Sequence, residues 1–188
     1  LKAELGGTTN RYTLSFTEPW LFDIPLSAGF DLYNWNRDYD TYDKNTKGGG
    51  VRFGYLIYDF TRVYLSYSYD VGDIDNIIED EAPESIKEMR GENITSSVAT
   101  TLSYDSRDRM INPTEGADHR LTAEYAGIGG DIGFTKYLAE LGQYFPLFWE
   151  TVGFLHAKGG YVRKNSDGKL PDYEKFYLGG MNSLRGFD

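Results

Sequence analysis

Two-residue alternation of apolar and polar side chains is the feature that most limits what this chain can fold into. In the segment 11–17, Tyr12, Leu14 and Phe16 fall on one side and Arg11, Thr13, Ser15 and Thr17 on the other, the period of a strand with two unlike faces. The pattern returns as Leu26, Ala28, Phe30 and Leu32 against Ser27, Gly29 and Asp31, and again as Val51, Phe53 and Tyr55 against Arg52 and Gly54. Val63, Leu65, Tyr67, Tyr69 and Val71 oppose Arg62, Ser66, Ser68 and Asp70; Val98, Thr100, Leu102 and Tyr104 oppose Ala99, Thr101, Ser103 and Asp105. Leu121, Ala123 and Tyr125 oppose Arg120, Thr122 and Glu124, residues 135–145 and 151–162 keep strand composition with looser alternation, and residues 1–5 read as the tail of a strand. Nine strands are expected, the first of them partial.

The connections fall into two classes that alternate along the chain. Short ones lie near 18–25, 57–61, 107–116 and 146–150; polar, more variable ones lie near 6–10, 34–47, 72–93, 126–133 and 163–188. Antiparallel outer-membrane barrels show this asymmetry, with short periplasmic turns and longer outer loops. The first short connection sets Pro19 and Pro25 around Trp20 and Phe22, which suits a tight turn at a membrane edge. A soluble β-sandwich or lipocalin-like barrel also yields many short strands. Two features favour the membrane form: polar faces suited to a watery lumen, and apolar faces with Tyr near their ends.

Composition fits this reading. No run of apolar residues is long enough for a spanning helix, and a mean hydropathy of −0.51 is what strands with one apolar face average to. The 16 Tyr, 11 Phe and 3 Trp suit interfacial girdles. A net charge of −10 argues against a nucleic-acid partner, which needs a concentrated Lys/Arg surface. With no Cys, disulfides, thiolate catalysis and Cys-based zinc sites are all excluded. The insertion from Asp73 to Glu92 holds eight acidic and two basic residues, more than half of the net charge. It reads as a solvated loop cap with a short helix over Ile86–Arg90, or as a surface for a cationic partner or metal-bridged lipid head groups.

Catalysis finds little support. His119 and His156 have no zinc-ligand spacing, there is no Gly-x-Ser-x-Gly elbow, and Gly48-Gly49-Gly50 lacks the Lys-Ser/Thr of a phosphate loop. Those glycines read instead as relief of crowding or a strand bend. The chain is therefore expected not to be an enzyme and to need no metal or cofactor, although a barrel enzyme remains an alternative.

Two motifs carry a resemblance. The first is the stretch 104–116, Tyr-Asp-Ser-Arg-Asp-Arg-Met-Ile-Asn-Pro-Thr-Glu-Gly. Asp105, Arg107 and Asp108 can pair locally there, Pro113 fixes φ, and Gly116 permits a left-handed turn before the next strand; its expected role is structural. The second, at 176–187, reads Phe-Tyr-Leu-Gly-Gly-Met-Asn-Ser-Leu-Arg-Gly-Phe. Together they resemble the outer-membrane protein assembly factor family of β-barrel insertases, and the resemblance covers nearly the whole chain.

The resemblance implies an all-β fold, an antiparallel transmembrane β-barrel that is incomplete here, with about nine strands of roughly sixteen. The whole of 1–188 would be the central part of the barrel domain; periplasmic repeats and the first and last strands would lie outside it. The loop lead-in Gly179 and Gly180 would deliver the tip Arg185, Gly186 and Phe187 into the lumen, where a guanidinium needs carboxylate or carbonyl partners. The implied task is folding and insertion of β-barrel proteins into the bacterial outer membrane. Its partners would be unfolded outer-membrane protein substrates, accessory assembly lipoproteins and outer-membrane lipid. A seam between first and last strands could template an incoming edge. A secretion translocator of the same superfamily (autotransporter-assembly or two-partner type) and a porin-like channel remain alternatives.

Overall fold

The computed structural model describes residues 2–5, 9–165, 168–171 and 174–176. Nine strands form one antiparallel sheet in sequence order: β1 (Lys2–Leu5), β2 (Thr9–Glu18), β3 (Leu26–Asp38), β4 (Asp43–Tyr58), β5 (Thr61–Asp75), β6 (Gly91–Asp105), β7 (Gly116–Ala126), β8 (Phe134–Pro146) and β9 (Val152–Lys164). The sheet is open among the described residues, with no pairing between β1 and β9.

Register places the alternating residues in continuous rows, because partners across a ladder share a face. One row runs Leu65, Thr100, Ala123, Tyr137, Tyr161; the next runs Val63, Leu102, Leu121, Ala139, Gly159. This apolar face is the open one: Leu14, Phe16, Leu32, Phe53, Leu65, Leu102 and Leu121 all expose two-fifths or more of their surface. The opposite face binds itself through polar contacts, among them Ser68 Oγ to Ser97 Oγ at 3.0 Å, Thr101 Oγ1 to Thr122 Oγ1 at 2.9 Å, and the Arg52–Asp31 ion pair. Such a sheet is inside-out for water and right for lipid.

The buried core lies elsewhere, at the long-loop end. Ile74, Ile86, Met89, Ala126, Ile132 and Phe134 form it, with Tyr42, Ile77, Val162 and Leu170 packed against it. Ile86 comes from a single helical turn, α1 (Glu84–Lys87), and Met89 follows it. The helix thus starts two residues before the expected Ile86. The acidic insertion is also more than a solvated cap: Ala82, Ile86 and Met89 turn inward beside Ile74 and Ile77, because burying these side chains removes the loop's apolar surface from water.

The connection expected over 34–47 is corrected. β3 and β4 continue past the apolar belt through the pairs Asn34 with Lys47, Asn36 with Asn45 and Asp38 with Asp43, leaving only residues 39–42 to turn, with Tyr39 stacked on Tyr42. Alternation vanishes there because the outward face turns polar at Asn34, Asn36 and Lys47 while Trp35, Lys44 and Thr46 line a half-buried cavity on the other, whereas the backbone ladder continues. The Gly48-Gly49-Gly50 run does relieve crowding: a Cβ at Gly48 would strike the Asp70 carboxylate and the Tyr33 ring, which hydrogen-bond to each other across it.

Candidate functional site

The motif turn between β6 and β7 is a closed network. Asp105, at the end of β6, accepts three hydrogen bonds from Arg107, from Nε at 2.8 Å, Nη2 at 2.7 Å and the backbone amide at 3.3 Å. The same Nη2 lies 3.4 Å from Asp118 on β7, so the guanidinium ties the two strands together. The Asp105 side chain is the main reason the Arg107 guanidinium is held still further above its ordinary range. Asp108 accepts from the Thr114 amide at 2.8 Å, the Thr114 hydroxyl at 2.8 Å, Arg109 Nε at 2.9 Å and the Glu115 amide at 3.3 Å. These donors, the Thr114 amide foremost, hold its carboxyl well below the usual carboxylate range.

Pro113 sits in the middle of this turn, after Asn112 with φ +54°. Gly116 takes φ +100°, and a Cβ there would be driven against the Ser106 carbonyl, so glycine is required. The Asp105 and Asp108 carboxylates are both engaged by neighbouring donors, an arrangement that fixes the turn.

The second motif lies mostly beyond view. Gly179, Gly180, Arg185, Gly186 and Phe187 fall outside the described residues. The foot of their loop is described, and it stands on the polar face. Lys136 Nζ on β8 pairs with Glu174 at 2.8 Å, and the Phe176 ring lies directly over Gly160 of β9, where a Cβ would collide with it. Upstream, Lys169 Nζ donates to the Glu88 carbonyl at 2.9 Å and Asn93 Oδ1 at 3.3 Å, tying the segment to the acidic insertion. Sequence reasoning missed Gly160, Lys136 and Glu174. The Gly159-Gly160 pair inside a strand was the available signal.

The rest of the polar face offers a cavity of about 220 Å³ lined by Tyr33, Lys44, Asp70, Met89, Asn93 and Glu174. Among the described residues no three His, Cys, Asp or Glu side chains converge as a metal site. The two histidines are structural neighbours of other groups: His119 stacks on Tyr104 with centroids 6.0 Å apart, and His156 Nε2 lies 3.2 Å from Glu140.

An ordered antiparallel meander, an exposed apolar face, a polar inner face and alternating short and long connections define a sheet of the outer-membrane β-barrel class. The chain belongs to the Omp85 superfamily, whose domain model matches residues 1–188. It is 35% identical to the outer membrane protein assembly factor BamA of Nitratidesulfovibrio vulgaris and 30% identical to that of Neorickettsia risticii, in each case over the whole chain. It spans 24% and 25% of those two proteins. A SAM50-like protein of Drosophila melanogaster matches 65% of the chain at 31% identity, with 28% of its own length covered. Among solved structures, BamA from Haemophilus ducreyi lacking POTRA domains 1–3 superposes with a TM-score of 0.78 at 21% identity, covering 96% of this chain and 38% of that one.

Proposed function

We propose that the protein carrying this segment folds and inserts β-barrel proteins into the bacterial outer membrane, as the core of an assembly machine. The supporting observation is the way the foot of the signature loop, Glu174 and Phe176, stands on the polar face of β8 and β9 in a sheet whose apolar face is open. From a foot placed there the loop would enter the lumen, with Arg185, Gly186 and Phe187 as its lumen-facing tip. Relatives that carry the name of assembly factor across the whole chain add to it.

The activity needs no covalent chemistry and no cofactor. In hydrocarbon every backbone amide and carbonyl must be paired, so an inserting strand gains by meeting an edge that completes its ladder. Its partners are unfolded outer-membrane proteins, accessory lipoproteins and the surrounding lipid. Depleting the full protein in its native cell and quantifying many outer-membrane barrels tests this. A broad fall is expected; loss of one secreted substrate with normal barrel levels would instead assign it to secretion. For the loop tip, Arg185→Ala in the full protein should impair assembly and expose the loop to protease, and unchanged behaviour would remove that role.

A further inference from the structure

We propose that the short-turn end of the sheet is a collar that docks on amine-bearing phospholipid head groups. Three of its four turns carry an aromatic residue next to a carboxylate at the tip: Phe22-Asp23, Asp59-Phe60 and Trp149-Glu150. Phe22, Phe60 and Trp149 all take left-handed backbone, with φ of +58°, +64° and +54°. That region crowds the Cβ of an L-residue against the backbone and favours glycine or asparagine. The fourth turn obeys this preference with Asn112. The described chain repays little of this strain at the other three: Trp149 meets the Phe148 ring edge-on at 5.1 Å, yet Phe22, Phe60 and Trp149 remain 81%, 59% and 88% exposed. Strain of this kind persists where something else requires the residue.

The requirement comes from outside the chain, and the surroundings indicate its chemistry. The tips continue the apolar face downward: Tyr55 and Val63 lead into the second turn, and Phe145 into the last. An aromatic ring at the edge of a lipid-facing belt sits at head-group level. A carboxylate beside each ring adds a partner for a cation, and a ring face also attracts an ammonium. None of Asp23, Asp59 and Glu150 is held in an ion pair among the described residues. Phosphatidylethanolamine offers that ammonium, whereas a head group of net negative charge would be repelled. The inference rests on the reading of the apolar face as lipid-facing.

The test uses the full-length protein on a cysteine-free background, reconstituted in vesicles of mixed phosphatidylethanolamine and phosphatidylglycerol, with folding checked by heat-modifiable gel mobility. Single spin labels at Phe60→Cys, Trp149→Cys and Leu65→Cys report depth through their accessibility to oxygen and to a water-soluble nickel chelate. The expected result places 65 in hydrocarbon and 60 and 149 at head-group level. If 60 and 149 are as open to nickel as in free solution while 65 stays in hydrocarbon, the collar is refuted and the membrane reading stands; if 65 is also in water, that reading fails. Should the water-exposed tips be protected only by added periplasmic proteins, the collar is a protein dock and the lipid proposal is overturned.

Mass spectrometry of lipid retained on the protein then reads chemistry. Phosphatidylethanolamine should be enriched roughly two- to fivefold, the range exposed ion pairs support. The exposed, near-isosteric changes Asp23→Asn, Asp59→Asn and Glu150→Gln together should abolish the enrichment; if they leave it intact, amine recognition is wrong.

Discussion

Leu65 and Ile74 belong to the same strand and live in opposite environments. Leu65 is 49% exposed on the apolar face, while Ile74 is 1% exposed on the other face, beneath the long-loop core. The belt around Leu65 relies on a solvent that is itself apolar. The cluster around Ile74 is an ordinary water-excluding core built from four connecting segments, which supply Tyr42, Ile86 with Met89, Ile132 and Leu170, and from the strand ends beneath them. One chain therefore applies the hydrophobic effect in both directions, and the boundary runs across the sheet where the outward-facing residues change from Leu32 to Asn34 and from Gly49 to Lys47.

This contrast can be broken by substitution in the full protein, with stability read from denaturant unfolding in vesicles. Phe134→Ala, in the loop core, should cost the most, about 3–5 kcal/mol, because the cavity it leaves has no filler. Phe53→Ala, in the belt, should cost well under that, since lipid tails as apolar as the lost ring refill the space; equal costs would erase the distinction between the two regions. Leu65→Arg should cost about 2–4 kcal/mol if Leu65 lies near the bilayer midplane, and almost nothing if that face meets water.

Smaller effects are expected at the motif turn, which belongs to neither region. Arg107→Lys keeps the charge but loses the two-pronged bond to Asp105, and should cost on the order of 1 kcal/mol. The pH response has a definite sign. The Asp108 carboxyl is depressed in the folded protein, so its contribution is fully present above the unfolded value of about 3.9 and falls away on acidification below it. Amide exchange at Thr114 and Glu115, divided by the intrinsic rate at each pH, should therefore stay slow down to about pH 4 and quicken below. In Asp108→Asn it should be fast throughout; exchange that does not respond to acid would remove Asp108 from the turn's stability.

Much of this architecture was legible in the residues, because the strand period is two and each face has one kind of neighbour. Leu14, Phe30, Val51, Leu65 and Leu121 announced their strands and their common face. The turn motif was equally open to reading: Gly116 and Asp108 act on residues close by in sequence. Harder to see was the extension of β3 and β4, since Asn34 to Asp38 and Asp43 to Lys47 carry polar residues on both faces and show no clean alternation. The loop core was invisible for a related reason. Ile86 and Met89 sit in an acidic stretch whose charge dominates any local reading, and their partners Ile132 and Phe134 come from the distant β7–β8 loop and the first residue of β8.

The sequence by itself determined the strands, their order of turn and loop, and the family, because these depend on local periodicity and short motifs. Only the tertiary structure decided that the apolar face is the open one, that the acidic insertion buries Ile86 and Met89, and that Phe176 needs Gly160 beneath it. Those facts depend on which distant backbones approach one another, a quantity set by register across the whole sheet and carried by no single segment.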